Sequence, residues 1–267
     1  MSSHAAVFGF GNMGHAVIEG AVRAGVLAAD EVLVVDPDPS KRDAARALGC
    51  RTSDDPALAR DASLVLLAVK PQSFAELAPR LAGRPARTLF LSVMAGLSGA
   101  KILSMIADAR DHALVRAMPN TPCRLGVGMT GLAPSIRATD VDVDRAARLF
   151  GAVGRTVRVE ERQLDAVTAT SASGPAYLFL LAESWERAAI ALGFDPVTAR
   201  ELVRQTIVGA ARMLEDRTVD AADLRAAVTS KGGTTAAAIA VLESRGIDDA
   251  MRDALAAAEQ RGRELGS

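Results

Sequence analysis

The stretch that most constrains this chain is Ala5–Phe10 together with the six residues that overlap its end, Gly9-Phe10-Gly11-Asn12-Met13-Gly14. Ala5–Phe10 is a continuous apolar run, as expected of a strand buried on both faces. After the glycines, Ala16, Val17, Gly20, Ala21 and Ala24 recur at helical spacing, and Gly25 closes the helix. A second apolar strand, Val32–Val35, ends in Asp36. Strand, G-x-G-x-x-G, helix, strand and acid in this order describe a dinucleotide-binding unit. The first glycine allows a tight turn, the second admits a pyrophosphate to the backbone, and the third lets helix and strand pack closely. Asp36 falls near the position where an acid bonds the ribose 2′-hydroxyl, which favours NADH. Ser40, Lys41 and Arg42 follow, and these suit either a 2′-phosphate or the capped, solvated first turn of the next helix. NADH and NADPH therefore both stay open.

Strands and helices continue to alternate. Leu64–Val69, Thr88–Val93 and Ala113–Ala117 read as further strands, with turns at Lys70-Pro71-Gln72, Met94-Ala95-Gly96 and Met118-Pro119-Asn120-Thr121-Pro122. In an open α/β sheet, ligands lie beyond the carboxyl ends of the strands. Lys70 thus stands against a cofactor or substrate, or is an ordinary surface lysine. Asn120 bonds a carboxamide or forms an Asx turn before Pro122, and the turn is the preferred reading. Gly126–Ala133 and Arg155–Val159 read as strands that complete the sheet, with a helix over Asp144–Val153 between them.

After about residue 160 the strand signals stop. Ser173-Gly174-Pro175 starts a helix that is apolar nearly all round through Ala182, so it should be buried in a core or against a partner chain; Gly193 ends it. Helices follow over Ala199–Leu214 and Asp220–Val228, then one stopped near Gly246, then a last one to about Arg263. The plan is an α/β Rossmann-like domain over 1–160 and an all-helical domain over 161–267, with substrate expected at the junction.

Charge and composition exclude several classes. Lys and Arg number 31 against 32 Asp and Glu, aromatics make up 3%, and there is no basic block, so nucleic acid is not an expected partner. Cys50 and Cys123 lie far apart without CxxC spacing, which predicts reduced thiols in a cytoplasmic protein. No signal peptide is read at the N-terminus, and no apolar run approaches the roughly 20 residues that span a bilayer. No spacing of His, Cys and acids suggests a metal. His4 precedes the first strand, His15 lies in the first helix and His112 precedes the fifth strand; none stands at a strand exit, so structural or surface roles are expected. There is no G-x-S-x-G elbow for a hydrolase.

The remaining chemistry lies in Thr229-Ser230-Lys231-Gly232-Gly233-Thr234-Thr235, followed by Ala236-Ala237-Ala238-Ile239. Two glycines before a helix start offer unpaired N–H groups to an anion, and two hydroxyls stand beside them. This describes a pocket for a small carboxylate with a hydroxyl next to the reacting atom. Taken alone, the stretch reads rather as a Gly-Gly turn with a threonine N-cap, and it is the rest of the chain that favours the pocket.

Five blocks taken in order are more specific than any one of them: Phe8-Gly-Phe-Gly-Asn-Met-Gly14, Ala68-Val-Lys-Pro71, Met118-Pro-Asn-Thr-Pro122, Ser171-Ala-Ser-Gly-Pro-Ala-Tyr177 and Ser230-Lys-Gly-Gly-Thr-Thr235. On these the chain resembles the Δ1-pyrroline-5-carboxylate reductases over nearly its whole length. The resemblance implies reduction of 1-pyrroline-5-carboxylate to L-proline by NADPH or NADH. It also implies a Rossmann domain joined to a helical dimerisation domain that interleaves with a second subunit, active sites formed between chains, and homodimers that build larger rings, a decamer among them. By motif it implies that Gly9, Gly11, Asn12, Met13 and Gly14 hold the pyrophosphate and that Val69 and Lys70 line the cofactor cleft. Asn120 would lie near the nicotinamide, and Glu161 would contact that end of the cofactor. Ser230, Gly232, Gly233, Thr234 and Thr235 would form the substrate loop; the mechanism expected from this placement puts the Thr235 hydroxyl on the ring nitrogen. The sequence departs from the commoner pattern at Lys231 and Ala172, where Pro and Gly are frequent, and at Ala227 and Asp55, where some members have Asn.

Overall fold

The computed structural model describes residues 5–84, 87–135 and 137–266, so His4 lies outside the described residues. The chain forms two compact units, one of residues up to 173 together with 257–267, the other of residues 174–256. The first is built on an eight-stranded sheet: β1 (Ala5–Phe8), β2 (Val32–Val35), β3 (Arg51–Ser53), β4 (Leu64–Leu67), β5 (Leu89–Ser92), β6 (Ala113–Met118), β7 (Gly128–Pro134) and β8 (Gly154–Arg158). Their order in space is β3-β2-β1-β4-β5-β6-β7-β8. The first six are parallel, β7 runs antiparallel to β6, and β8 is parallel to β7. The strand order reverses at β1, and Phe8 lies level with Val35 of β2 and Leu67 of β4. Three strands therefore end together at the switch point where an open sheet leaves a crevice.

Both sheet faces are covered. Val7, Val17, Val34, Leu66, Leu91, Val115 and Phe150 belong to one core layer, and Phe8, Leu33, Val65, Leu67, Phe74, Phe90 and Leu114 to the other. Neighbours in the chain alternate between layers, and because each layer is apolar the strands read as unbroken apolar runs. The helices of this unit are α1 (Asn12–Arg23), α2 (Pro39–Ala47), α3 (Pro71–Leu77), α4 (Gly99–Met105), α5 (Asp140–Gly151) and α6 (Leu164–Val167).

The structure corrects three sequence expectations here. β1 stops at Phe8, because Gly9 turns to φ +92°. β3 was not expected; it is a three-residue edge strand of polar residues, and no apolar run marks it. α5 starts four residues before Asp144, because Thr139 and Asp142 form a reciprocal capping box that satisfies the first turn.

The second unit holds α7 (Gly174–Ala191), α8 (Pro196–Met213), α9 (Ala221–Ala227) and α10 (Thr234–Ser244); α11 (Ile247–Gly266) begins in it and ends in the first unit. Asp195 caps α8 by accepting from the Val197 and Thr198 amides. Ala189, Ala199 and Val203 form a small core, with Ile207 packed against it. The burial expected of α7 is absent within one chain: Phe179 is 62% exposed, Leu180 61% and Trp185 44%. Among the described residues no helix is long and apolar enough to cross a membrane.

Candidate active site

The β1–α1 turn is shaped by its glycines. A Cβ on Gly9 would stand 2.6 Å from the Ala68 carbonyl oxygen, and one on Gly14 would collide with the Gly9 carbonyl. Gly11 differs: an added Cβ would meet nothing within 4 Å. The outer two glycines are required by the approach of β4 and α1, while the middle one leaves bare backbone facing open space. Gly11 is the N-cap of α1 and offers no side-chain hydroxyl or carboxylate, and the first turn contains no acid. The first N–H groups of α1 at Asn12, Met13 and Gly14 have no partner within the helix, which is the arrangement that receives an anionic group.

A cavity of about 630 Å³ opens beside this turn, lined among others by Gly9, Gly11, Asp36, Lys41, Asp54, Val69 and Lys70. Asp36 is buried at the end of β2. One of its oxygens accepts from the Phe10 amide at 2.7 Å, the other from the Asp38 amide at 2.9 Å. The carboxylate thus ties the glycine turn to the β2–α2 turn, with one lone pair on each oxygen to spare. Arg42 turns inward, donating to the carbonyls of Asp36 at 2.7 Å and Pro37 at 2.8 Å. Of the three residues read as candidates for a 2′-phosphate, Lys41 lines the cavity and Arg42 does not. Val69 is half-buried; Lys70 is exposed and is the N-cap residue of α3, ahead of Pro71.

Asn120 and Glu161 lie farther along the strand ends. The Asx turn expected at Asn120 does not form: its side chain does not cap the following 3-10 turn, Thr121–Leu125. Its Oδ1 accepts instead from the Met129 amide at 2.8 Å, and its Nδ2 donates to the carbonyl and hydroxyl oxygens of Ser171, each at 3.3 Å. One Glu161 oxygen accepts from the Gly99 amide at the start of α4 at 2.6 Å and from Arg116 of β6 at 3.3 Å. Arg116 is buried, and sequence reasoning missed it; a lone charge inside an apolar strand was the available signal. His15 stacks on Phe10, just past the end of β1, with centroids 4.9 Å apart and lies 3.7 Å from Glu19, while His112 is buried just before β6.

The other candidate residues are in the second unit. Gly232 has φ +72°, which accounts for a glycine there, and the Gly233 amide closes the turn onto the Ser230 carbonyl at 3.0 Å. Gly233, not a threonine, is the N-cap of α10, and no side chain caps the helix. Thr234 and Thr235 therefore occupy its first two positions with their hydroxyls uncommitted to capping; Thr234 is exposed and Thr235 half-buried. Ser230 and Lys231 are exposed. Of the remaining departures, Asp55 accepts from the Ala57 amide and pairs with Arg80 at 3.2 Å, Ala227 ends α9, and Ala172 lies in the segment before α7.

The chain is similar to known proteins along its whole length. A family model described as pyrroline-5-carboxylate reductase dimerisation matches residues 161–265, and one described as NADP oxidoreductase coenzyme F420-dependent matches residues 4–96. The pyrroline-5-carboxylate reductase of Haemophilus influenzae is 41% identical, over 97% of this chain and 96% of its own. That of Synechocystis is 37% identical over 100% and 99%. The solved structure of the Coxiella burnetii pyrroline-5-carboxylate reductase superposes with a TM-score of 0.93 at 34% identity, over the whole of both chains. The Plasmodium falciparum pyrroline carboxylate reductase, solved with NADP bound, superposes over both whole chains with a TM-score of 0.84 at 25% identity. With the ordered motifs, the sheet with its glycine turn and the helical unit all accounted for, the chain belongs to the pyrroline-5-carboxylate reductase family.

Proposed function

We propose that the protein reduces 1-pyrroline-5-carboxylate to L-proline with NAD(P)H, the last step of proline synthesis. The observation that carries this reading is the presence, in one chain of this family, of two uncapped glycine-led helix N-termini. α1 opens on a nucleotide-sized cavity, and α10 carries paired hydroxyls. Gly9, Gly11, Asn12, Met13 and Gly14 hold the pyrophosphate, Asp36 reaches the adenosine ribose, Val69 and Lys70 line the cleft, Glu161 belongs to its nicotinamide end, and Asn120 lies near that end. Gly232 and Thr234 offer backbone N–H groups to the substrate carboxylate, Ser230 and Gly233 shape the loop that presents them, and the Thr235 hydroxyl bonds the ring nitrogen. The loop comes from a second copy of the chain, in a homodimer that builds up to a decamer in the cytoplasm. Residues 1–160 serve as the nucleotide domain and 161–267 as the substrate and dimerisation domain.

The bound nicotinamide supplies a hydride. The pair of electrons enters the imine carbon, the C=N π bond closes onto nitrogen, and the nitrogen carries a proton taken from water before or during transfer. A protonated imine needs no strong general acid, so catalysis rests on positioning and on donors aimed at the carboxylate. Nucleotide preference is a contest between two features of the cavity: the fixed negative charge of Asp36 favours NADH, and Lys41 is placed to favour NADPH.

The test is substrate-dependent oxidation of NADPH and of NADH by the purified protein, followed by nicotinamide absorbance. Thr235→Ala should lower turnover about 10- to 100-fold, the cost of one hydrogen bond to a charged group, with nucleotide affinity unchanged. Loss of affinity in parallel with turnover would refute the role given to Thr235, and absence of oxidation with either nucleotide would refute the reaction.

A further inference from the structure

The Asn120 side chain is anchored inside the fold. Its oxygen takes the Met129 amide, and its nitrogen reaches both oxygens of Ser171. Both acceptors that this nitrogen meets belong to Ser171, so its donor side is directed at the segment before α7. Ser171 lies in a π-helical turn, Thr168–Ala172, between α6 and α7. The Ser173 amide closes the turn onto the Thr168 carbonyl at 2.9 Å, an i→i+5 bond. Such turns are rare and concentrate at functional sites. Each holds one residue more than an α turn, so α7 starts out of step with α6.

The turn is pinned from both ends. Just ahead of it Val167 fits against Gly131 of β7, where an added Cβ would stand 2.8 Å from a Val167 methyl. Near its far end Asn120 holds Ser171. Two residues beyond the turn, at Gly174, the chain enters the helical unit that carries Ser230–Thr235.

We infer that Asn120 is a positioning residue of the reductase: through Ser171 it holds the π turn, and the turn fixes where the helix leading to the substrate-loop unit begins. This rests on the proposed reaction. Asn120 acts on the imine side of the chemistry without touching the cofactor.

The test compares Asn120→Ala, Ser171→Ala, Ser171→Thr and the double alanine variant. Three quantities are measured for each: kcat and KM for the pyrroline, nucleotide affinity by fluorescence, and amide hydrogen exchange over 164–175. Asn120→Ala should lower kcat/KM for the imine about fivefold to tenfold. It should also speed exchange across the turn and leave nucleotide affinity unchanged. Ser171→Ala should show a smaller loss of the same kind, because its carbonyl remains. Ser171→Thr should restore it, and the double variant should fall no further than Asn120→Ala. Weakened nucleotide binding in Asn120→Ala with a silent Ser171→Ala would overturn the inference, as would unchanged exchange in both. Exchange and nucleotide affinity need no turnover, so they decide the matter even if the wild type reduces no pyrroline.

Discussion

His112 is buried beside Phe90, ring centroids 5.4 Å apart, and its Nδ1 accepts the Thr88 amide at 3.3 Å. An accepting Nδ1 requires the neutral ring with its proton on Nε2. Burial first, then the charge of Arg84, hold its pKa below the ordinary histidine value. Between the folded and unfolded values the unfolded chain binds the extra proton. The stabilisation is therefore complete above about pH 6.5 and is lost as pH falls below it. The denaturation midpoint should drop on acidification through that range, and the drop should be smaller in His112→Asn; equal drops would show that His112 is not responsible. Arg84 lies over the Phe8 and Phe90 rings, 5.5 and 5.9 Å from their centroids, and burial pulls its pKa down to about 10, so it keeps its charge at neutral pH. The sequence did not make Arg84 or Arg42 legible. Arginines in polar stretches read as solvated, and only the backbone geometry reveals the carbonyls that Arg42 satisfies from within.

At the scale of elements, the β1–α1 turn separates two kinds of glycine that one motif writes alike. Gly14→Ala forces a Cβ onto the Gly9 carbonyl and should destabilise the fold by about 1–3 kcal/mol. Gly11→Ala, at φ −70° with open space around it, should unfold at the wild-type temperature yet bind nucleotide more weakly. Thermal melts with and without NADPH test both; equal melting temperatures for the two apo variants would contradict the assignment. The motif was legible because its spacing states which backbones must approach. The central strands were legible for a similar reason, since both faces are dry. β3 was hidden because Arg51, Thr52 and Ser53 sit at the sheet edge, where exposure permits polar residues. The alternative of a threonine N-cap for α10 does not hold: the extended backbone falls at Gly233 and both threonines lie inside the helix, as the reading of a helix start at the threonines has it.

For the whole molecule, α7 is the element that a single chain leaves unfinished. Leu178, Phe179, Leu180 and Leu181 are all exposed, as are Leu202 and Val208 of α8. An uninterrupted run of this kind exceeds what a monomer normally shows to water. Together with the matched dimerisation model, it supports self-association of the chain. Phe179→Glu should shift the protein toward single chains at concentrations where the wild type associates, as read by sedimentation velocity; an unchanged mass would place the interface elsewhere. The two-domain plan was legible from the point where strand signals stop, and the apolar circumference of α7 already called for a cover. The sequence did not disclose the return of α11: residues 257–267 rejoin the sheet unit, and a Cβ on Gly262 would stand 3.3 Å from the Asp165 carboxylate. The helical unit is consequently an insertion tethered at both ends. A protease that nicks the segment before α7 would leave it attached through α11, and a C-terminal truncation would turn a doubly anchored body into a pendant one.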